Sequence, residues 1–285
     1  MKKNNVIAPL LLSFLVLYSQ PIYAQEKADH YILSNFEGQG LFVTVNAIIG
    51  LLDRFETAQP KIGVTVDFGT DGLYYCPEKG PNWWSYYFEP IILGSQENVA
   101  FKRLSQGEIS NFCWSGGRVI SRARAHELLM KYIKVKPEVQ KVVDEFAKSY
   151  FQEYFIVGIH YRGTDKFIES APYVAYAEVL SQLETVLQYC HKPTKIFVAT
   201  DEQRFLDFMK TKYRSQIIHQ NIYRSSNNSP LHFIHHDKYK NGLDAVTDCL
   251  LLSKCPVLLK TASNLSACSL LFNPSIYVVN LSSER

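Results

Sequence analysis

Apolar positions along the chain fall into two regimes. From Leu41 to Phe55 they recur at helical spacing (Leu41, Val45, Ile48, Leu52, Phe55), directly after the glycine pair Gly38 and Gly40. A glycine-rich loop feeding a helix is the expectation. Lys61 to Gly69, KIGVTVDFG, alternates as a strand does, and the aromatic cluster NWWSYYFEP follows at Asn82 to Pro90. A helix is expected over about Arg122 to Tyr132. A second runs through KVKPEVQKVVDEFAKSYF, with Pro137 in its first turn and Val139, Val142, Val143 and Phe146 on one apolar face.

Beyond that bridge the pattern becomes regular. Strands are expected at Tyr154 to Tyr161, Lys195 to Thr200, the segment SQIIH, Pro256 to Lys260 and Ser275 to Asn280. Helices fall between them: 173–189, with Tyr176, Val179, Leu180, Leu183, Val186 and Leu187 inward, then Asp201 to Lys212, 242–253, and one after Thr261. This alternation predicts a parallel sheet covered by helices, a Rossmann-like α/β unit, behind a mixed α/β first half.

Composition narrows the options without choosing among them. The 285 residues are 47% hydrophobic and 20% charged, enough for one sizeable core or two modest ones. A net charge of +3 with no long Lys/Arg run argues against a nucleic-acid partner. The N-terminus, MKKNNVIAPLLLSFLVLYSQPIYAQEKAD, has two lysines, an apolar stretch from Val6 to Tyr18, then Pro21 and Ala24. That is a signal-peptide pattern with cleavage after Ala24; the alternative is an uncleaved anchor over Val6 to Ala24. Either way the folded part is expected across a membrane, secreted, periplasmic or lumenal. Six cysteines suit such a compartment but form no CxxC pair, and Cys249, Cys255 and Cys268 read equally as buried small hydrophobes. No His/Cys/carboxylate cluster has metal-ligand spacing.

In an open parallel sheet, ligands bind beyond the carboxyl ends of the strands. Three expected strand ends carry polar residues: His160, Arg162, Thr164, Asp165 and Lys166; then Thr200, Asp201 and Glu202; then Thr261, Ser263, Asn264 and Ser266. Each has a structural alternative. Thr261 or Ser263 caps a helix, Asp201 is an N-cap, or Arg162 and Asp165 form a plain ion pair. The aromatic cluster Trp83, Trp84, Tyr86, Tyr87 and Phe88 either packs a core or stacks on sugars.

Three segments, VGIHYRGTDK (Val157 to Lys166), DCLLLSKCPVLLKTASNLS (Asp248 to Ser266) and SNFEGQGLF (Ser34 to Phe42), resemble the motifs of α-1,6-fucosyltransferases and the related nodulation and protein O-fucosyltransferases. The resemblance runs in order over most of the chain, and H-x-R-x-x-D-K is its most specific element. It implies a GT-B arrangement of two Rossmann-like domains facing a cleft, here 25–148 and 149–285. It also implies GDP-fucose as donor, a glycan acceptor, inversion at the anomeric carbon and no metal or other cofactor.

Carried onto this sequence, the resemblance implies that Arg162 contacts the donor diphosphate, where a planar guanidinium stabilises the charge growing on GDP. His160 and Asp248 would hold the guanine. Gly38 and Gly40 would let the backbone approach the phosphates, with Thr261, Ser263 and Asn264 meeting them from the other domain. The general base is expected a few residues past the Asp-Lys pair, where Glu169 stands one position displaced; Lys166 would relay charge to it and Asp165 would orient Arg162.

Two rivals stand beside this reading. A cysteine hydrolase built on Cys113-Trp114 with His232, His235 or His236 lacks the rest of its local signature. A non-catalytic glycan- or nucleotide-binding protein on the same fold fits export, since an exported protein meets little GDP-sugar. Retention of Arg162, Lys166 and Asp248 argues for catalysis.

Overall fold

The computed structural model describes residues 29–34, 38–70, 72–105, 107–109, 120–164, 174–226 and 237–281. Within them the chain forms two sheets. The first is four-stranded, with strands β1 (His30–Leu33), β2 (Gly63–Val66), β3 (Ile92–Leu93) and β4 (Phe101–Leu104) in the order β3-β2-β1-β4. Both β2 and β4 pair parallel to β1, while β3 is an antiparallel edge. Helix α1 (Leu41–Thr57) leaves β1 through the Gly38–Gly40 loop and buries Leu41, Val45, Ile48 and Leu52, the stripe its periodicity predicts.

The second sheet holds β5 (Phe155–Tyr161), β6 (Thr194–Thr200), β7 (Ile217–Ile218), β8 (Val257–Lys260) and β9 (Tyr277–Asn280), all parallel, in the order β7-β6-β5-β8-β9. The further α-helices are α2 (Arg122–Tyr132), α3 (Pro137–Tyr150), α4 (Tyr176–Gln188), α5 (Gln203–Tyr213), α6 (Lys238–Ser253) and α7 (Asn264–Phe272), and short 3-10 turns stand at Pro77–Lys79, Trp83–Tyr86 and Arg214–Gln216. The architecture is α/β and GT-B-like, as expected.

Because β5 is central and buried on both faces, its sequence up to His160 is an apolar run rather than an alternation. The alternation survives in what each side chain touches. Val157, Ile159 and Tyr161 join Ile196, Val198 and Leu259 in a core with Val179, Leu183, Phe205 and Met209 of α4 and α5. Ile156 joins Phe197 and Leu258 in a second core, with Val139 and Val143 of α3 and Val246, Leu250 and Leu251 of α6. Successive strand residues point to opposite faces, so His160 and Arg162 continue the parity of Ile156 toward α6.

Helix α3 shows where one periodicity argument fails. Val139 and Val143 are buried and Phe146 packs edge-on against Phe197, but Val142 is 41% exposed. It stands beside the stripe rather than in it.

The second core does not stop at the sheet. It continues through α6, α7 and α2 into α1 and the aromatic cluster of the first half. Trp83, Trp84, Tyr86, Tyr87 and Phe88 are all at most 5% exposed, so they are core rather than a sugar platform. Tyr87 reaches across the halves, donating its hydroxyl to the Tyr239 carbonyl at 2.8 Å and stacking on that ring. Gly242 faces it, and a Cβ there would lie 2.2 Å from the Tyr87 oxygen. Trp84 stacks on Phe88 at 4.3 Å and donates Nε1–H to the Glu89 carbonyl at 3.1 Å. Trp84→Phe keeps an aromatic ring but loses that donor and some volume. It should lower the urea midpoint by an amount equivalent to about 1–3 kcal/mol, leaving nucleotide affinity unchanged. An unmoved midpoint would contradict the core assignment.

Candidate active site

Strand order brings the three polar strand ends side by side: β6, β5 and β8 are neighbours. The Thr261 N–H donates to the His160 carbonyl at 3.0 Å, and the Arg162 N–H donates to Thr261 Oγ1 at 3.0 Å. Thr261 therefore splices the end of β8 to the end of β5 and fixes the backbone of Arg162. On the other side, Asp201 accepts from the Gly163 N–H at 2.9 Å and the Thr164 hydroxyl at 2.7 Å, and pairs with Arg162 Nε at 3.3 Å.

Among the described residues Asp201 is thus a carboxylate that orients the guanidinium, and it is not a helix cap. The N-cap of α5 is Glu202. Glu202 is buried and accepts from the Tyr176 hydroxyl. Gly163 makes this approach possible, since a Cβ on it would lie 2.1 Å from Glu202 Oε2.

A cleft opens above these strand ends, lined by Tyr74, His160, Arg162, Thr200, Asp201, Ile222, Tyr223, Asn241, Asp244, Ala245, Asp248 and Leu265. Its α6 wall repeats at 241, 244/245 and 248, the helical spacing of one face. His160 and Arg162 meet that face because they share one side of β5. Three predicted donor residues, His160, Arg162 and Asp248, therefore converge.

The electrostatics of the cleft are uneven. His160 is 5% exposed and its Nδ1 has no hydrogen-bond partner among the described residues. Burial pulls its pKa down to about 3, and the positive charges of Arg162 and Lys260 act in the same direction. The ring is neutral at any working pH, free to accept or donate but not to carry charge. Asp248 is equally buried and accepts from Gln220 Nε2 at 2.6 Å. Burial raises its pKa to about 7, opposed by the Gln220 hydrogen bond and the Arg224 charge and reinforced by Asp244.

The first half contributes through Tyr74 and the head of α1. Gly38 has φ +68°, a conformation that favours glycine, and a Cβ at either Gly38 or Gly40 would meet nothing within 4 Å among the described residues. Leu41, the first helical residue, donates its N–H to the Tyr74 hydroxyl at 3.0 Å. Burial raises the Tyr74 pKa, against the pull of that N–H and of Arg162, so the phenol stays protonated.

Two other predicted contacts have local roles. Ser263 Oγ accepts from the Leu265 N–H at 3.3 Å as the N-cap of α7, and Asn264 Oδ1 accepts from Asn46 Nδ2 of α1 at 3.0 Å, linking the halves. Asp165, Lys166 and Glu169 lie outside the described residues. So do Cys113 and His232, His235 and His236 of the hydrolase reading. Sequence reading missed Tyr74, Gln220, Tyr223, Asn241 and Asp244. Only Asp244 carried a legible signal, being one helical turn before Asp248.

Comparison with known proteins bears on the same region. Nodulation protein Z of Bradyrhizobium diazoefficiens is 25% identical over 146 residues, covering 48% of this chain and 39% of that protein. Nodulation protein Z of Sinorhizobium fredii is 23% identical over 136 residues, covering 45% of this chain and 42% of the relative. These alignments span about two fifths of the relatives' length.

Among solved structures, a NodZ alpha-1,6-fucosyltransferase soaked with GDP-fucose matches 87% of this chain and 94% of its own, with a TM-score of 0.62 and 14% identity. The same enzyme co-crystallized with GDP gives a TM-score of 0.63 at 13% identity over 89% of this chain and 95% of its own. An Arabidopsis thaliana FUT1 mutant in complex with GDP is more distant, with a TM-score of 0.51 and 12% identity over 90% of this chain and 71% of that one. At these identities the likeness is one of fold. The family model for Nodulation protein Z (NodZ) matches residues 118–284, well over half of the sequence and all of the second sheet, and the chain belongs to that family.

Proposed function

We propose that the protein is an inverting, metal-independent glycosyltransferase that moves fucose from GDP-fucose to a hydroxyl of a glycan acceptor. The observation that carries this reading is Arg162, held at the end of the central strand by Asp201 and Thr261 and facing a cleft whose far wall carries Asp248. The fold is that of enzymes solved with GDP-fucose and GDP.

In the reaction, the acceptor oxygen bonds to the anomeric carbon as the bond from that carbon to the phosphate oxygen breaks. The electron pair of the broken bond leaves on GDP, and the acceptor proton passes to a carboxylate. Arg162 stabilises the departing negative charge, doing in a metal-free site what a divalent cation does elsewhere. The Tyr74 O–H, whose oxygen already accepts from Leu41, is a second donor toward that charge. Asp248 takes the donor edge of guanine, and neutral His160 contacts the same base. Lys166 and Glu169 complete the site as charge relay and general base, with Asp165 a further support, and the Gly38–Gly40 backbone meets the phosphates. The N-terminal segment exports the protein, so that it acts outside the cytoplasm.

The test is nucleotide release from GDP-fucose, GDP-mannose and UDP-sugars against a panel of glycans. GDP release from GDP-fucose in the presence of one acceptor class, undiminished by EDTA, is the expected result. Tight GDP binding with no turnover on any acceptor would favour the binding-protein alternative, and loss of turnover on chelation would remove the metal-independent mechanism.

A further inference from the structure

Strand β7 ends at Ile218, and the chain rejoins β6 at Ser225, whose N–H donates to the Asp201 carbonyl at 2.8 Å while its carbonyl accepts from the Gln203 N–H at 2.9 Å. Between these pins the chain bulges off the sheet edge, and Ile222 and Tyr223 form one wall of the cleft. The bulge is wound around a single side chain. Arg224 Nη2 donates to the Gln220 carbonyl at 2.9 Å and Nη1 to the Ile222 carbonyl at 3.2 Å.

Arg224 is 6% exposed, its Nε has no hydrogen-bond partner among the described residues, and it forms no ion pair with a described carboxylate. A buried guanidinium met only by neutral carbonyls is expensive to keep in a fold. Its charge is felt by Asp248, Asp244 and Asp207. Gln220 completes the connection: it is 7% exposed, and its Nε2 donates to Asp248 Oδ1 at 2.6 Å and to the Asp244 carbonyl at 3.2 Å. The fork thus fixes a turn, the turn fixes an amide, and the amide fixes the carboxylate.

We propose that Gln220 and Arg224 are the positioning residues that set base specificity. Arg224 winds the turn that presents the Gln220 amide to Oδ1 of Asp248, holding the carboxylate in the plane that receives the N1–H and 2-amino donors of a purine. The inference rests on the reading of this cleft as a guanine-nucleotide site. The charged and titratable groups around Asp248 are Arg224 from the bulge, Asp244 one turn earlier on α6, His160 and Arg162 from β5, Asp201 from the end of β6, and Tyr74 and Tyr223 across the cleft. Of these, Arg224 and the Gln220 hydrogen bond favour the ionised form and Asp244 opposes it.

The experiment compares GDP with inosine diphosphate, which carries the same diphosphate but lacks the 2-amino group, by calorimetry between about pH 6.5 and 8.5, where Asp248 titrates. The full chain is used as wild type, Gln220→Leu and Arg224→Lys. Wild type should prefer GDP about tenfold or more, since one hydrogen bond to a charged group is at stake. Gln220→Leu, close in size and suited to a buried site, should cut the preference to about threefold or less and raise the pH below which GDP binding is lost by about one unit. Arg224→Lys keeps the charge but loses the fork that presents the Gln220 amide, so the preference should fall and the threshold should rise, by less than in Gln220→Leu because the positive charge remains.

Folded variants that keep both the preference and the threshold overturn the proposal alone. If Arg224→Lys does not fold, Gln220→Leu decides by itself. A wild type indifferent to the two bases overturns the guanine reading and the proposal with it.

Discussion

Replacing Arg162 by alanine should reduce fucose transfer by about a thousandfold while leaving the fold intact. Truncation removes the charged donor proposed to face the leaving diphosphate, an effect of order 10²–10³ for one preorganised donor, at its upper end when the donor is a cation in a partly dry site. Arg162 reaches the cleft from the end of a strand whose own side chains are packed on both faces, so truncating it removes no core contact. What it does remove is the partner of Asp201, which still accepts from the Gly163 N–H and the Thr164 hydroxyl and so is not stranded. Arg162→Lys should recover only a small part of the loss, because an ammonium cannot keep the Asp201 contact and address two phosphate oxygens at once. Steady-state turnover with GDP-fucose, beside unchanged thermal unfolding, measures this. Near-wild-type turnover in the alanine variant would move the electrostatic catalyst elsewhere.

GDP affinity should depend on pH through Asp248. Burial has raised its pKa to about 7, so the carboxylate proposed to receive the base is half protonated there. Only the ionised form accepts the N1–H and 2-amino donors. Binding should therefore be complete above about pH 8 and weaken as pH falls through 7, approaching tenfold per unit on the acid side. A histidine would give a threshold in the same range, but His160, at about 3, is too strongly depressed to be the source. Asp248→Asn should lower GDP affinity about a hundredfold, since a charge-assisted contact is replaced by an amide whose NH₂ opposes the 2-amino group. It should also erase the pH threshold. A threshold that survives in Asp248→Asn would belong to another group.

How much of this was legible in the sequence depends on the range of the interaction. The apolar run YFIVGIHY announced a strand buried on both faces, and the two-residue step from His160 to Arg162 put both on one side of it. The helical period of α6 placed Asp248 where that side looks. What sequence could not supply was strand order. The pairing of Arg162 with Asp201 exists because β6 is the neighbour of β5, and nothing local distinguishes it from a pairing with Asp165. Tyr74 belongs to the other half, and only the fold brings it to the cleft. The bulge from His219 to Arg224 reads as ordinary loop, since its organising contacts run from a side chain to carbonyls two and four residues back. Strands β1 (HYIL) and β4 (FKRL) carry neither a continuous apolar run nor a clean alternation, so nothing local marked them. The capping alternative was right for Ser263 and wrong for Asp201; both are short polar residues at the head of a helix, separated only by what the neighbouring strand offers.

Under the proposed function, the cleft above β5 and β8 reads a guanine base and a diphosphate together. Calorimetric titration of the wild-type protein with GDP and with UDP at about pH 8, where Asp248 is ionised, tests it most directly. GDP should bind in the micromolar range or tighter, with at least a hundredfold preference over UDP, which lacks the purine donor edge. Equal affinity for the two nucleotides would contradict it.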